Sequence, residues 1–597
     1  MIAPETLLLH DNSGPDAGES LLFSAPSRVL VARRPDEVAG VLEEAQAALA
    51  AGHYVAGFLS YDLGLTLEER LRPLCPGNPA VPLAWLGIFG PPQRLDRAGA
   101  WALVEGDGEA AIEGLELGIS EAEYRAAFEA VQAYIAAGDV YQVNLTLQAH
   151  FHLKGAPLAL YRALCRKQPV AHGAFLDTDE LSVLSLSPEL FVENSGGDLT
   201  ARPMKGTIRR GRTNREDAVL KAELASDIKS RAENLMIVDL LRNDLGRIAE
   251  TGSVYVDDLF SVETYRSLHT MTSTVRARMR PGTGMVDVLN ALFPCGSVTG
   301  APKIRAMQII GEVEAGPRGL YTGSLGYFAP NGDFRFNVAI RTALVEAGGQ
   351  GSIGVGGGIV ADSQLDAEWA ECALKLDFFR SAAEPEPPLG LIETLLWEEG
   401  RGFALLERHL ARMADSAAYL AIPFDRATAL ATLDSVAGQA SRLRVRLVLD
   451  EDGGLSVTAT PLAEAGPASF RFALAQARTS SENRFLFHKT TRRTFYDQTR
   501  AAMAETLGVA EAVFCNERGE LTEGSFTTLF IERDGVLLTP ALDCGLLPGT
   551  LRAELLASGR AREAVLFPRD LESAEAVWLG NSVRGLVRGE WVRSADK

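Results

Sequence analysis

The sequence predicts an α+β protein of large antiparallel sheets with helices, followed by a second module of its own. Three observations carry that expectation. Up to about residue 380, helix-like and strand-like segments mix without strict β-α-β order, which disfavours a parallel sheet with crossover helices. Residues 381–388, Ser-Ala-Ala-Glu-Pro-Glu-Pro-Pro, are small, acidic and broken by proline, so they read as a linker. No internal repeat relates the parts on either side. At 597 residues the chain exceeds one core, and ordinary domain sizes predict about three or four folding units. The expected division is 1–110, 111–380, the linker 381–388, and 389–597.

Residues 1–110 alternate short apolar runs with turn residues and read as scaffold, with a helix over 36–51 ended by Gly52. Ser120, followed by acids, caps a helix over 121–137, and residues 140–148 alternate as a strand does. A helix over 227–242 carries Leu235, Met236 and Leu240 as its apolar face, with Glu233 off that stripe. On the helix expected over 362–380, Glu368, Glu371 and Lys375 share one face. Two glycine-rich turns, 296–303 and 354–358, can offer backbone N–H groups to an anion. Neither has the spacing of a nucleotide loop, so a carboxylate is the expected guest. Beyond the linker, 391–397 reads as a strand, 406–419 as a helix and 443–449 as a strand.

Composition bounds the chemistry. A formal charge of −20 argues against general nucleic-acid binding, while leaving room for small anions at local clusters of Arg and Lys. The six cysteines, Cys75, Cys165, Cys295, Cys372, Cys515 and Cys544, have no C-x-x-C spacing, so neither a zinc site nor a disulfide framework is expected and a reducing cytoplasm fits best. No signal-like start or long apolar run calls for secretion or membrane insertion.

Within the first part, Lys205 sits between Pro203 and Gly206 with Arg202, Arg209 and Arg210 nearby. Taken singly this is a basic surface turn. A lysine becomes a nucleophile where burial or neighbouring cations lower its pKa, and Arg202, Arg209 and Arg210 supply such cations. Glu233 and Glu371, from different helices, can hold one Mg²⁺, an ion that takes one or two protein carboxylates and completes its shell with water or an anionic substrate. In the second part, Lys489 follows an apolar stretch read as a strand, and Glu523 sits at a turn entering another. Pyridoxal phosphate chemistry needs a Schiff-base lysine, an acid facing the pyridine nitrogen and phosphate anchors. Lys489, Glu523, Arg412 and the helix start after residues 545–552 offer that set.

The combination Ser187-Pro-Glu189, Pro203-Met-Lys-Gly-Thr207, Arg231-Ala-Glu-Asn234, Arg242-Asn-Asp-Leu-Gly246, His269, Gly300-Ala-Pro-Lys303, Arg318-Gly-x-Tyr321, Ile340-Arg-Thr342, Gly358-Ile-Val-Ala-Asp362 and Glu371-x-x-x-Lys375 resembles the chorismate-utilising enzymes over about residues 120–380. The resemblance implies a chorismate site with Mg²⁺ on Glu233 and Glu371. It implies carboxylate contacts from Tyr321, Arg341, Lys375 and the backbone at Gly206, Gly356 and Gly358, with Thr207, His269 and Ser297 lining the pocket. Anthranilate synthases carry Ala where Lys205 stands, whereas the aminodeoxychorismate synthase branch carries Lys. The branch implies that Lys205 attacks ring carbon C2, that Glu189 protonates the departing C4 hydroxyl, and that ammonia enters at C4. Ser230 departs from relatives that carry an acid there. No cysteine has the G-x-C-x-G setting of a glutaminase, so a separate glutamine amidotransferase subunit is the expected source of ammonia.

Residues Glu393-Thr394, Arg408-His-Leu-Ala-Arg412, His488-Lys-Thr490, Thr522-Glu-Gly-Ser525, 545–552 and Asn581-Ser582 resemble the class IV pyridoxal phosphate enzymes, aminodeoxychorismate lyases among them, over about 390–590. This implies a two-subdomain α/β module with Lys489 as Schiff base and Glu523 at the pyridine. It also implies phosphate contacts from Arg412, the backbone at Thr550 and Leu551, and Ser582. Leu551 stands where aminotransferases often carry Thr. The two resemblances together imply synthesis of 4-aminobenzoate. The alternative is an anthranilate or isochorismate synthase with a non-catalytic, aminotransferase-like appendage.

Overall fold

A computed structural model describes residues 2–14, 17–106, 108–383, 388–463 and 466–593. It divides into two compact units, Met1–Arg209 with Lys221–Pro385, and Arg210–Leu220 with Glu386–Lys597.

Two ten-stranded sheets organise the first unit. One runs through Gly300–Ala301, Gln142–Gly155, Gln350–Ile359, Thr342–Glu346, Leu181–Ser187 and His172–Asp177 to the N-terminal strands Thr6–His10, Ser20–Phe23 and Gln93–Leu95. The other begins with Met204–Arg209 and Leu268–Arg278 and reaches Tyr54–Leu59, Ala84–Phe89 and Arg28–Ala32. Residues 1–110 are therefore not a separate region: Thr6–His10 pairs with His172–Asp177, and Tyr54–Leu59 with Ser324–Phe328. Their short apolar strands complete sheets started elsewhere in the chain because a lone hairpin buries too little to stand by itself.

The strand Gln142–Gly155 shows how sequence sets the faces. Val143, Leu145, Leu147, Ala149, Phe151 and Leu153 join one buried cluster, so the period-two rule turns Gln142, Asn144 and Thr146 to the opposite face. The helix Ile228–Gly246 is capped by Asp227, whose carboxylate accepts from the Ser230 N–H at 2.6 Å. Its buried face is Ile237, Val238, Leu241 and Leu245, whereas Leu235, expected on the apolar stripe, is 44% exposed. The buried face is displaced from the expected stripe because the polar Asn234 and Asp244 also turn inward.

The second unit has a four-stranded antiparallel sheet, Gly402–Phe403, Gly390–Glu398, Arg442–Asp450 and Leu455–Pro461, and an eight-stranded mixed sheet. Leu391, Leu395, Leu443, Val445 and Leu447 pack with Leu410, Met413 and Ala417 of the helix Leu406–Leu420. Phe472, Val513, Leu529, Ile531 and Leu579 form a separate core on the larger sheet. Residues 210–220, expected within 111–380, belong with this unit. The Tyr419 hydroxyl donates to the Gly211 carbonyl at 2.6 Å, and the Arg210 guanidinium lies 4.3 Å above the Tyr419 ring. Residues 381–383 form a short 3-10 turn, and the rest of the expected linker up to residue 387 lies outside the described residues.

Candidate active sites

Lys205 lies within the strand Met204–Arg209 rather than on a free turn, at a register shift against Leu268–Arg278 between Met204 and Thr207. Gly206 takes φ +90°, which a side chain would oppose, and an added Cβ would come within 2.7 Å of the Ser230 Cβ on the helix above. The Lys205 side chain is 15% exposed, with Nζ 3.9 Å from a Glu233 carboxylate oxygen. Burial lowers its pKa; Glu233 opposes that shift and Lys375 assists it. Of the three arginines expected to do this, Arg202 pairs with Glu263 at 2.7 Å and Arg210 with Asp217 at 2.8 Å.

Residues 354–358 form part of the strand Gln350–Ile359, not a turn. Glycine is needed there for room: an added Cβ would stand 2.1 Å from the Tyr321 ring at 354, 2.4 Å from the Leu145 carbonyl at 356, and 2.3 Å from Lys205 Nζ at 358. Lys375 donates to the Gly356 carbonyl at 2.6 Å and pairs with Glu371 at 2.8 Å. Glu189 is buried, accepts from the Ser297 hydroxyl at 2.6 Å, and has its pKa pushed up to about 7 by burial, with Lys205 pulling the other way. Lys205 is thus within electrostatic reach of Glu189, Glu233, Lys375 and Glu371. His269 and Thr207 lie on the paired strands beside Lys205, with Ile208 opposite His269 and Thr207 opposite Thr270. Arg341, at φ +51°, has its pKa lowered to about 10 by burial.

One residue absent from the sequence reading stands out. Gln142 is fully buried, and among the described residues neither its Oε1 nor its Nε2 has a hydrogen-bond partner. Its Nε2 lies 3.1 Å from where a Gly358 Cβ would be, on the side shared with Lys205 Nζ. An unpaired buried amide costs roughly 1–3 kcal/mol, so a ligand that satisfies it has a clear place to bind. The signal in the sequence was a polar residue opening an otherwise alternating apolar strand. Among the described residues no group of three or more His, Cys, Asp or Glu side chains forms a closed metal cluster. Glu233 and Glu371, which both act on Lys205, suit an ion that takes few protein oxygens.

In the second unit, Lys489 follows the 3-10 turn Arg484–Phe487 rather than a strand, and its carbonyl accepts from the Ile392 N–H at 2.8 Å. Burial lowers its pKa to about 7, with Arg412 assisting and Glu393 opposing. Glu523 is buried, accepts from the Tyr496 hydroxyl at 3.1 Å, and is pushed up to about 7 by burial. Tyr496 was not singled out in the sequence, since nothing local marks it as a partner of Glu523. Arg412 donates through Nε and Nη2 to Glu393 at 2.8 and 2.6 Å and through Nη1 to the Pro548 carbonyl at 3.1 Å. Thr550 and Leu551 open the helix Thr550–Ala557, whose first N–H groups have no intrahelical acceptor. The Leu551 side chain packs where a Gly580 Cβ would be, 2.9 Å away, so its backbone alone is available to an anion. The Ser582 hydroxyl donates to the Thr394 carbonyl at 3.2 Å. The buried lysine, the buried acid and the arginine beside a helix start are the kinds of group that could hold pyridoxal phosphate.

Comparison with known proteins finds a family for each part of the chain. Residues 12–381 match the chorismate binding enzyme family and residues 390–590 match amino-transferase class IV. The chain is 46% identical over 316 residues to aminodeoxychorismate synthase component 1 of Klebsiella aerogenes, covering 52% of this chain and 67% of that one. It is 48% identical over 253 residues to aminodeoxychorismate synthase of Streptomyces griseus, covering 42% of this chain and 35% of that one. The match to the relative from Bacillus subtilis, a component 1, covers 56% of its length, so the chain spans about a third to two thirds of these relatives. The crystal structure of anthranilate synthase component I from Streptococcus pneumoniae superposes with a TM-score of 0.54 at 26% identity, over 61% of this chain and 93% of that one. Among the described residues no helix is long and apolar enough to cross a membrane. The chain belongs to the chorismate binding enzyme family, with a class IV amino-transferase domain after it.

Proposed function

We propose that the first unit converts chorismate and ammonia to 4-amino-4-deoxychorismate and water, and that the second releases pyruvate from this product to give 4-aminobenzoate. The observation that carries the reading is Lys205, a buried amine of lowered pKa against Gly358 of the strand Gln350–Ile359 and within electrostatic reach of the acid Glu189. The free amine attacks ring carbon C2, the ring double bonds shift, and the C4–O bond breaks as Glu189 delivers a proton to the leaving hydroxyl. Ammonia then bonds to C4, the double bonds shift back, and the C2–N bond breaks to return Lys205. One hard displacement becomes two easier ones. Tyr321, Arg341, Lys375 and the backbone at Gly206, Gly356 and Gly358 hold the substrate carboxylates, with Thr207, His269 and Ser297 around the ring. Glu233 and Glu371 hold Mg²⁺, which supplies positive charge against those carboxylates.

In the second unit Lys489 is the amine for pyridoxal phosphate, a group that supplies an electron sink for the elimination. Glu523, oriented by Tyr496, would pair with the pyridine nitrogen, and Arg412 with the backbone of Thr550 and Leu551 would take the phosphate. Ser582 flanks that position. Ammonia comes from a separate glutamine amidotransferase subunit, and the reaction runs in the cytoplasm. The test is to incubate the protein with chorismate, Mg²⁺ and ammonium and identify the product. The reading expects 4-amino-4-deoxychorismate alone and 4-aminobenzoate when pyridoxal phosphate is added; anthranilate would overturn it.

A further inference from the structure

Glu393 carries no role in the reading above, yet it is almost fully buried and sits at the centre of the second site. Its two carboxylate oxygens accept a bidentate pair from Arg412, Nε to Oε1 at 2.8 Å and Nη2 to Oε2 at 2.6 Å. His409 Nδ1 lies 2.5 Å from Oε2, and on the far side of that ring Nε2 lies 3.3 Å from the Thr550 hydroxyl. Burial alone would raise the Glu393 pKa, but Arg412 and His409 hold it down to about 2, so it is a carboxylate at any working pH. Burial lowers the pKa of His409 against the pull of Glu393, which favours the neutral ring.

These facts settle the donors. A carboxylate can only accept, so His409 carries its proton on Nδ1 and offers Nε2 as acceptor. The Thr550 hydroxyl then donates to Nε2 from the first turn of the helix Thr550–Ala557. Arg412 has five N–H donors, of which three are engaged by Glu393 and Pro548, leaving one on each terminal nitrogen.

We infer that Glu393 is a positioning residue that joins the two arms of a phosphate cradle, orienting Arg412 directly and Thr550 through His409. The inference rests on the reading of this unit as a pyridoxal phosphate site and adds how that site is held ready. The anion would meet a guanidinium already fixed in direction and a helix start already aligned, with little left to order on binding. Outer partners of this kind are worth about 10–100-fold in affinity at metal sites, and a similar scale is expected here.

The test separates the phosphate arm from the rest of the pocket. Full-length protein is titrated with pyridoxal phosphate and, separately, with pyridoxal, which lacks the phosphate, following absorbance and quenching of protein fluorescence. Glu393→Ala is expected to weaken pyridoxal phosphate about 10–100-fold while changing pyridoxal little, so the preference for the phosphorylated form collapses. Glu393→Gln keeps the shape but places an NH₂ against Arg412 or His409, and is expected to lose most of the same preference with its melting temperature held. In an Arg412→Ala background the further loss from Glu393→Ala should shrink, because the two act through one another. An unchanged preference in both Glu393 variants, or equal weakening of both ligands, would overturn the inference. If the unsubstituted protein takes up neither ligand, the cofactor reading itself fails.

Discussion

Lys205 and Lys489 are both largely buried amines, and in both burial is the main cause of a lowered pKa, but their neighbourhoods have opposite signs. Around Lys205 stand Glu233, Glu371 and Glu368, which favour the charged ammonium, with Lys375 the cation acting against them. Around Lys489 stand Arg412, Arg493 and Arg446, which favour the free amine, with Glu393 the carboxylate opposing them. Desolvation makes either lysine a candidate nucleophile; the surrounding charge decides what must arrive before it acts. The first site gains from a cation that neutralises its carboxylates, and the second from an anion that its arginines attract.

That contrast can be broken or sharpened. The largest effect is expected from Lys489→Ala, which removes the visible absorbance produced on adding pyridoxal phosphate and stops pyruvate release, while chorismate consumption continues. Lys205→Ala should slow formation of 4-amino-4-deoxychorismate by at least ~10³-fold with chorismate binding retained, read by turnover and by equilibrium titration. Glu189→Gln should cost about 10²–10⁴-fold in the same step. Glu189 must be protonated to donate, and its pKa stands at about 7, so turnover of the unsubstituted protein should decline as pH rises above about 7. In Glu189→Gln that decline should be lost, as measured in a pH–rate profile with saturating ammonia. The smallest effect is that of Gln142→Leu. Removing an unpaired buried amide should stabilise the protein by roughly 1–3 kcal/mol in denaturant unfolding while turnover with chorismate falls. Both changes moving in the same direction would show that Gln142 is packing alone.

Much of this was legible in the residues. The capped helix Glu121–Ala137 and the strands Gly390–Glu398 and Arg442–Asp450 follow from caps and alternation, signals that span only a few residues. Lys205, Glu189, Glu233 and Glu371 stood out through short motifs, although their sequence positions do not show that they share a pocket. What was not legible depends on distant partners. The glycines at 354–358 looked like a turn because glycine usually marks one, yet here they clear space for Tyr321 and Lys205 in a strand. Arg202 and Arg210 are near Lys205 in sequence, but Glu263 and Asp217 hold them. Gln142 matters through what it lacks, and a missing partner is a property of three dimensions. The phase of Ile228–Gly246 was misread because Asn234 and Asp244 are buried polar residues that apolar periodicity overlooks.

The central claim is that Lys205 forms and breaks a bond to the substrate ring. The most direct measurement is peptide mass mapping of the protein after exposure to chorismate and Mg²⁺ without ammonium. The account predicts an added mass of chorismate less water on the peptide carrying Lys205, absent at Lys489 and discharged by ammonium. No adduct on Lys205, together with full amination by Lys205→Ala, would contradict it.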